Sequence, residues 1–326
     1  MSDGTSSDFF AMTLTLTPAV DVSISVPTLT PGTLHRLPNL RQDPGGKGIN
    51  VSKALNAFGV PTLATGLLGG ERGYWIESKL SVLGIPHQFV HTADETRMNV
   101  KISEDNGRLT ELNSVNTSGH PRDWTELGAR LKMAKSGQWI ALCGRLPQGI
   151  RPTWYQDAIY LAKEQGVRTL LDSSGEGLRH GIEAGPDIVK PNRAELSQWA
   201  GRDLSRIEDV VEAAQCLVDK GVKTVVVSLG QEGLLAITSE SGYRVEVPNV
   251  EAVSSVGAGD TLVAGLLYGI YHKYSFLDTI QFGAAAGTAA VSTPGSQQPR
   301  LHDVEHLFAQ IKVSPLAMEN HFSTNK

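Results

Sequence analysis

Short apolar, β-branched runs alternate with longer stretches of helical apolar spacing along most of this chain. The runs Ala11 to Thr17, Thr62 to Gly69, Trp139 to Gly144, Arg168 to Ser173, Asp187 to Asn192 and Lys223 to Gly230 read as strands. Between them, Asn50 to Phe58, Trp154 to Gln165, Arg193 to Ala200, Ile207 to Lys220 and Thr261 to Tyr271 read as helices, several closed by a glycine such as Gly59, Gly166 or Gly221. This alternation is the βαβ pattern. It predicts an α/β fold with a mainly parallel central sheet flanked by helices on both faces.

Two segments break the rhythm. Asp21 to Leu40 alternates β-branched and polar residues between Pro and Gly turns, and Arg97 to Asn113 reads as a hairpin turning at EDNG. Each is too short and too polar on one side to fold alone, so together they predict a small β-sheet lid at the edge of the main domain; plain solvent-exposed excursions are the alternative. Residues 9–313 then form a single domain, with 1–8 and 314–326 as polar tails.

Composition narrows the partners. The 326 residues carry a formal net charge of −5, so no general basic field exists for nucleic acid or an anionic membrane, and any anion needs a local cluster. The start of the chain has neither a basic n-region nor an apolar h-region, and no apolar run reaches membrane-spanning length. Cys143 and Cys216 lie far apart with no metal-ligand spacing, which fits a reducing cytoplasm. Glycine is the unusual count: 34 residues of 326, or about 10% against a typical ~7%.

Those glycines concentrate at turns with chemistry nearby. GGKGIN, Gly45 to Asn50, sets a cation, Lys47, and an amide, Asn50, at a helix start, without the spacing of a Walker loop or a dinucleotide fingerprint. VGAGD puts Gly257, Ala258 and Gly259 before a helical run, where their amides can hold a phosphoryl group at the positive end of the helix dipole. Asp260 follows, either as a helix-capping carboxylate or as a base for a substrate hydroxyl. In KPNRAEL, Asn192 and Glu195 stand one helical turn apart, able to organise hydrated magnesium or to close a capping box, with Lys190 able to face a phosphate. VSLGQEG ends a strand in a glycine turn at Ser228, Gly230 and Gly233, and Phe282 to Ser292 is a helix of small residues suited to tight packing or to an adenine pocket.

In their order, GGKGIN, TRMNVK, a GxLPxG turn, DSSG, KPNRAEL, VSLGQEG and VGAGD closely resemble the ribokinase/PfkB superfamily of ATP-dependent sugar kinases, from about Thr13 to about Val291. GGKGINVSKAL, KPNRAELSQWAGR and SLGQEG look most like its sugar-phosphate branch of 1-phosphofructokinases and tagatose-6-phosphate kinases. The resemblance implies a ribokinase-like fold, ATP and Mg2+, a possible homodimer through the lid, and phosphorylation of fructose 1-phosphate at O6, with tagatose 6-phosphate or a neutral sugar as the alternative acceptor and a non-catalytic sugar-phosphate sensor as the alternative outside the enzyme class. It makes Asp260 the base, Gly257, Ala258 and Gly259 the anion hole, and Asn192 and Glu195 the magnesium-organising pair, acting through water. Lys190, Asn192, Ser228, Gly230, Gly233 and Gly259 become nucleotide contacts. Asp21, with Gly46 and Asn50, becomes the wall that accepts sugar hydroxyls, while Lys47 and Arg97 meet the phosphate already on the substrate. Two positions depart from the branch pattern. Arg145 stands where the branch usually has a phosphate-binding Ser, and can grip that phosphate, reach another group or point to solvent; Thr17 replaces a common Asn.

Overall fold

The protein is described from a computed structural model covering residues 9–316, apart from 38–39, 115–118, 294 and 296. In chain order the elements are β1 (Ala11–Thr15), β2 (Ala19–Val26), β3 (Leu40–Gly45), α1 (Lys47–Ala57), β4 (Thr62–Gly69), α2 (Gly70–Val82), β5 (His87–Thr92), β6 (Arg97–Glu104) and β7 (Leu109–Asn113). Then follow α3 (Pro121–Leu131), β8 (Trp139–Cys143), α4 (Trp154–Glu164), β9 (Arg168–Asp172), α5 (Gly175–Glu183), β10 (Ile188–Val189), α6 (Arg193–Ala200), α7 (Ile207–Asp219) and β11 (Thr224–Ser228). The chain closes with β12 (Leu234–Ile237), β13 (Gly242–Glu246), α8 (Ala258–Tyr271), α9 (Phe276–Val291), α10 (Leu301–Phe308) and β14 (Lys312–Pro315).

The strands form a ten-stranded sheet in the order β14-β13-β12-β11-β10-β9-β8-β1-β4-β5. From β11 to β5 every pairing is parallel, and β12 to β14 extend the sheet in antiparallel fashion. The expected α/β architecture is therefore the observed one. Successive residues of a strand serve opposite cores: Met12 and Leu14 of β1, Ile140 and Leu142 of β8 and Leu171 of β9 pack with α3 to α7. Ala11, Trp139, Ala141 and Leu170 pack on the other face with α1, α8, α9 and α10. A third cluster joins α2 to the small sheet through Val20, Val22, Ile49, Ile76 and Phe89.

That small sheet has the order β3-β2-β6-β7 and is built from the two segments that broke the βαβ rhythm. β2 and β6 pair in parallel, placing Asp21 directly opposite Asn99 and Ala19 opposite Arg97.

Some boundaries differ from the sequence reading. Helix α1 begins at Lys47, one turn before Asn50, so both side chains share a face of one helix. α8 begins at Ala258, with Gly257 as its cap; Ala258 and Gly259 belong to the first turn rather than preceding it. The strand expected over Asp187 to Asn192 is only Ile188–Val189, because Pro191 has no N–H to continue a ladder. β14 runs past Val313, where the sequence reading ended the domain, while residues 1–8 and 317–326 of the expected tails lie outside the described residues. Among the described residues, no helix is long and apolar enough to cross a membrane.

Candidate active site

The parallel strands all open at one edge, and the ends of β8, β9, β10 and β11 deliver Arg145, Asp172, Lys190 and Ser228 there. The N-termini of α1 and α8 arrive at the same edge. At α8 the cap Gly257 has φ 79, a left-handed conformation that turns the backbone into the helix without a Cβ penalty. Asp260 then lies in the first turn, 6% exposed. Its Oδ2 accepts a 2.9 Å hydrogen bond from Asn50 Nδ2 of α1. Burial, followed by the charge of Asp172, pushes the Asp260 carboxyl up to about 6, against the pull of Lys47, Asn50 and Lys190. A carboxylate poised near neutrality in a helix-dipole anion site can take a proton from a hydroxyl.

Asp172 is fully buried, and its Oδ1 accepts from both Lys47 Nζ at 2.9 Å and Lys190 Nζ at 3.3 Å. Burial disfavours the carboxylate, yet the two ammonium groups hold its pKa below the usual value. Burial likewise opposes the charge of Lys47, but Asp172, Glu195 and Asp260 together raise its pKa above the ordinary lysine range. The result is two lysine side chains clamped on one carboxylate beside the α8 N-terminus: a Cβ placed on Gly259 would stand 3.4 Å from Lys190 Nζ.

These groups line a cleft of about 590 Å³. Lys47, Asp172, Lys190, Asn192, Ser228, Gly230, Gly233 and the whole of Gly257 to Asp260 border it. Its far wall is apolar, formed by Val247, Val250, Leu262, Ala284 and Val291. The helix of small residues does both things open to it: Gly287 and Thr288 border the cleft, while Gly283 lies so close to Leu266 of α8 that an added Cβ would meet it at 2.8 Å. A polar end with an anion hole and an apolar end of this size suit a phosphorylated, ring-bearing ligand.

Asn192 and Glu195 form the capping box of α6, with Glu195 N donating to Asn192 Oδ1 at 2.8 Å and Asn192 N donating to Glu195 Oε2 at 2.9 Å. Glu195 Oε1 remains 3.7 Å from Lys47 Nζ. Among the described residues no three His, Cys, Asp or Glu side chains converge as a metal cage. The oxygens of Asn192 and Glu195, with Asp172 Oδ2 buried and unpartnered nearby, fit an ion that keeps most of its water and draws other oxygens from a phosphate, as Mg2+ does.

On the small-sheet side, Asp21 is buried and its Oδ1 accepts from Asn99 Nδ2 at 2.8 Å. Arg97 donates through Nη1 to Asn99 Oδ1 and through Nη2 to the Thr17 carbonyl, both at 3.2 Å. Its Nε is buried and has no partner among the described residues. Burial lowers the Arg97 pKa, and the nearby charge of Arg145 pushes it the same way while Asp21 opposes. Arg97 lines a small recess with Thr17, Pro18, Leu67, Thr92 and Thr96, separate from the cleft that Lys47 borders. Lys47 and Arg97, grouped by the sequence reading at one phosphate, thus border different spaces.

Residues 14–303 match the model of the pfkB family of carbohydrate kinases. The chain belongs to that family. It is 36% identical over 282 residues to the 1-phosphofructokinase of Escherichia coli strain K12, covering 86% of this chain and 90% of that protein. It is 31% identical over 306 residues to a tagatose-6-phosphate kinase of Staphylococcus epidermidis, covering 93% of this chain and 98% of that one. A crystal structure of Escherichia coli phosphofructokinase-2 in complex with substrates and products superposes with a TM-score of 0.87 at 32% identity, over 92% of this chain and 98% of that one.

In this pfkB-family kinase three residues of the site escaped the sequence reading. Asp172 ends the strand run RTLLD, and an acid at the carboxyl end of an apolar strand is the signal that marks it. Asn99 lies in the TRMNVK motif, paired directly opposite Asp21 on the neighbouring strand. Lys53 stands on the buried face of α1 one turn beyond Asn50, where a lysine in an apolar helix face is itself the anomaly.

Proposed function

We propose that this sugar kinase transfers the γ-phosphoryl of ATP to a hydroxyl of a ketohexose phosphate, with O6 of fructose 1-phosphate as the acceptor. The observation that carries the reading is the buried Asp260 at the α8 N-terminus, in one cleft with Lys47 and Lys190. The names of the related kinases supply the acceptor class. In this reading Asp260 takes the hydroxyl proton as the sugar oxygen bonds to phosphorus and the bond to the departing ADP breaks. The amides of Gly257, Ala258 and Gly259 face the charge on the transferring group, and Lys47 and Lys190 balance the departing phosphates. Lys190, Asn192, Ser228, Gly230 and Gly233 hold the nucleotide. Mg2+, organised through water by Asn192 and Glu195, would neutralise phosphate charge.

The acceptor lies against Asp21, Gly46 and Asn50, with its own phosphate between Arg97 and Arg145. Two guanidinium groups near enough to raise each other's electrostatic cost have a reason to be there if a dianion lies between them. Closure of the small sheet as a lid keeps water from the phosphoryl group. Leu40 and Leu112, on the outer strands of that sheet, are 53% and 58% exposed, which favours pairing with a second copy as a homodimer in the cytoplasm.

The test is a panel of phosphorylated and free ketohexoses in a coupled ADP assay, run on the parent and on Asp260→Asn. Fructose 1-phosphate is expected to give the highest kcat/KM. Preference for tagatose 6-phosphate assigns the second branch, and turnover of a free sugar with no gain from the phosphate removes the proposed phosphate site.

A further inference from the structure

Lys53 is a charged residue at 9% exposure that the mechanism above does not use. Its ammonium donates to the Pro44 carbonyl at 3.2 Å and to Asn50 Oδ1 at 3.4 Å. The other end of the same amide, Asn50 Nδ2, donates to Asp260 Oδ2 at 2.9 Å. Burial lowers the Lys53 pKa, while Asp43, Asp21 and Asp260 favour its charge and Arg41 opposes it.

The chemistry of the three groups fixes their order. An ammonium can only donate and an ionised carboxylate can only accept, whereas an asparagine amide has one end of each kind. Only one of the two amide orientations satisfies both neighbours. The reverse one sets an NH2 against the ammonium and an oxygen against the carboxylate, unpairing groups that are both buried. The small sheet repeats the arrangement, with Arg97 on Asn99 Oδ1 and Asn99 Nδ2 on Asp21.

We infer that Lys53 is a positioning residue: by holding the oxygen of Asn50, it keeps the amide N–H on Asp260 and leaves the other carboxylate oxygen for the acceptor hydroxyl. The inference rests on Asp260 being the base. Because Lys53 also holds the carbonyl of Pro44 in β3, the same ammonium ties the small sheet to the base.

The test compares Lys53→Met and Lys53→Arg, each alone and with Asn50→Ala, in steady-state kinetics. Lys53→Met is expected to lower kcat about 10- to 100-fold, the scale of a slightly misplaced catalytic group, with KM for ATP within about twofold. Lys53→Arg, which keeps charge and donors, recovers most of the loss. In the Asn50→Ala background Lys53→Met costs less than about twofold more, as expected of a residue acting through Asn50. Full, independent losses in the double variant, or a change in acceptor KM with kcat intact, overturn the inference. If Lys53→Met does not fold, Lys53→Gln goes through the same cycle, and absence of coupling there overturns it equally. Near-parent turnover of Asp260→Asn instead removes the base reading itself, whatever Lys53 does.

Discussion

The two halves of the site are finished to different degrees. On the cleft side each charged group has at least one protein partner, with Asp172 Oδ2 left open among the described residues: Asp172 Oδ1 receives Lys47 and Lys190, Asn50 caps Asp260, and Asn192 and Glu195 satisfy each other. On the small-sheet side Arg97 keeps a buried Nε with no partner among the described residues, and the exposed Arg145 raises its electrostatic cost. A side whose charged groups are already paired without ligand is preorganised to stabilise charge that appears during a reaction. A side left cation-rich is completed by its ligand and so governs which ligand is chosen. Catalytic power and acceptor selectivity should therefore separate in mutants.

The sharpest test of that separation is Asp260→Asn, for which kcat is expected to fall by about 10²- to 10⁴-fold while ATP affinity, measured calorimetrically, stays within a few-fold. The same carboxyl is expected to set the pH profile. Under the proposed mechanism Asp260 takes the proton only when ionised, so kcat should drop about tenfold per pH unit below about 6 and level off above it. For stability the sign is reversed. A carboxyl whose folded pKa is raised from 3.8 to about 6 contributes stability below pH 3.8 that is lost as pH rises through 6. That loss is roughly 3 kcal/mol at neutral pH for a shift of this size. Asp260→Asn should therefore melt higher than the parent at pH 7.5, with the gain vanishing near pH 4. An equal gain at both pH values would show that ionisation is not its source.

Next in size is Asp172→Ala, which leaves two ammonium groups without their buried counter-charge and should cost about 3–5 kcal/mol of unfolding free energy in denaturant titration. If stability is unchanged, the cleft side is not the rigid half. Arg97→Ala should then raise acceptor KM about 10- to 100-fold, the worth of a charge-assisted contact, and leave KM for ATP unmoved. Smallest is Arg145→Ser, expected to raise acceptor KM by about tenfold or less because the guanidinium is exposed. A larger effect on kcat than on KM in either arginine variant would break the division of labour between the two sides.

Much of this was legible in the residues themselves. Local signals are enough for the βαβ order, for the glycine turn before Asp260, and for the hairpin from Arg97 to Asn113, because turn and helix chemistry acts over a few residues. Pairings across long sequence distances were not. Asn50 and Asp260 stand 210 positions apart and Lys47 and Asp172 stand 125 apart, and no periodicity connects them. Asp172 carries the local signal of an acid that ends an apolar strand, but only the fold reveals that two lysines meet on it. Helices α2, α3, α5 and α10 and strands β5 and β12 to β14 also lay outside the sequence reading; for β12 to β14 the reason is that they extend the sheet in antiparallel fashion, and only its parallel part gives the repeating βαβ signal.

The junction between β3 and α1 has a mechanical corollary. A single residue, Gly46 at φ 116, separates the last residue of the small sheet from the first turn of the helix that carries Lys47, Asn50 and Lys53. A Cβ there would come within 2.6 Å of Thr15 Cγ2, so the pivot has neither room for a side chain nor slack to spread a rotation over neighbouring residues. Any swing of the small sheet would be geared directly into that helix, reaching Lys47 in its first residue and then, within the same turn, the Asn50 amide that faces Asp260.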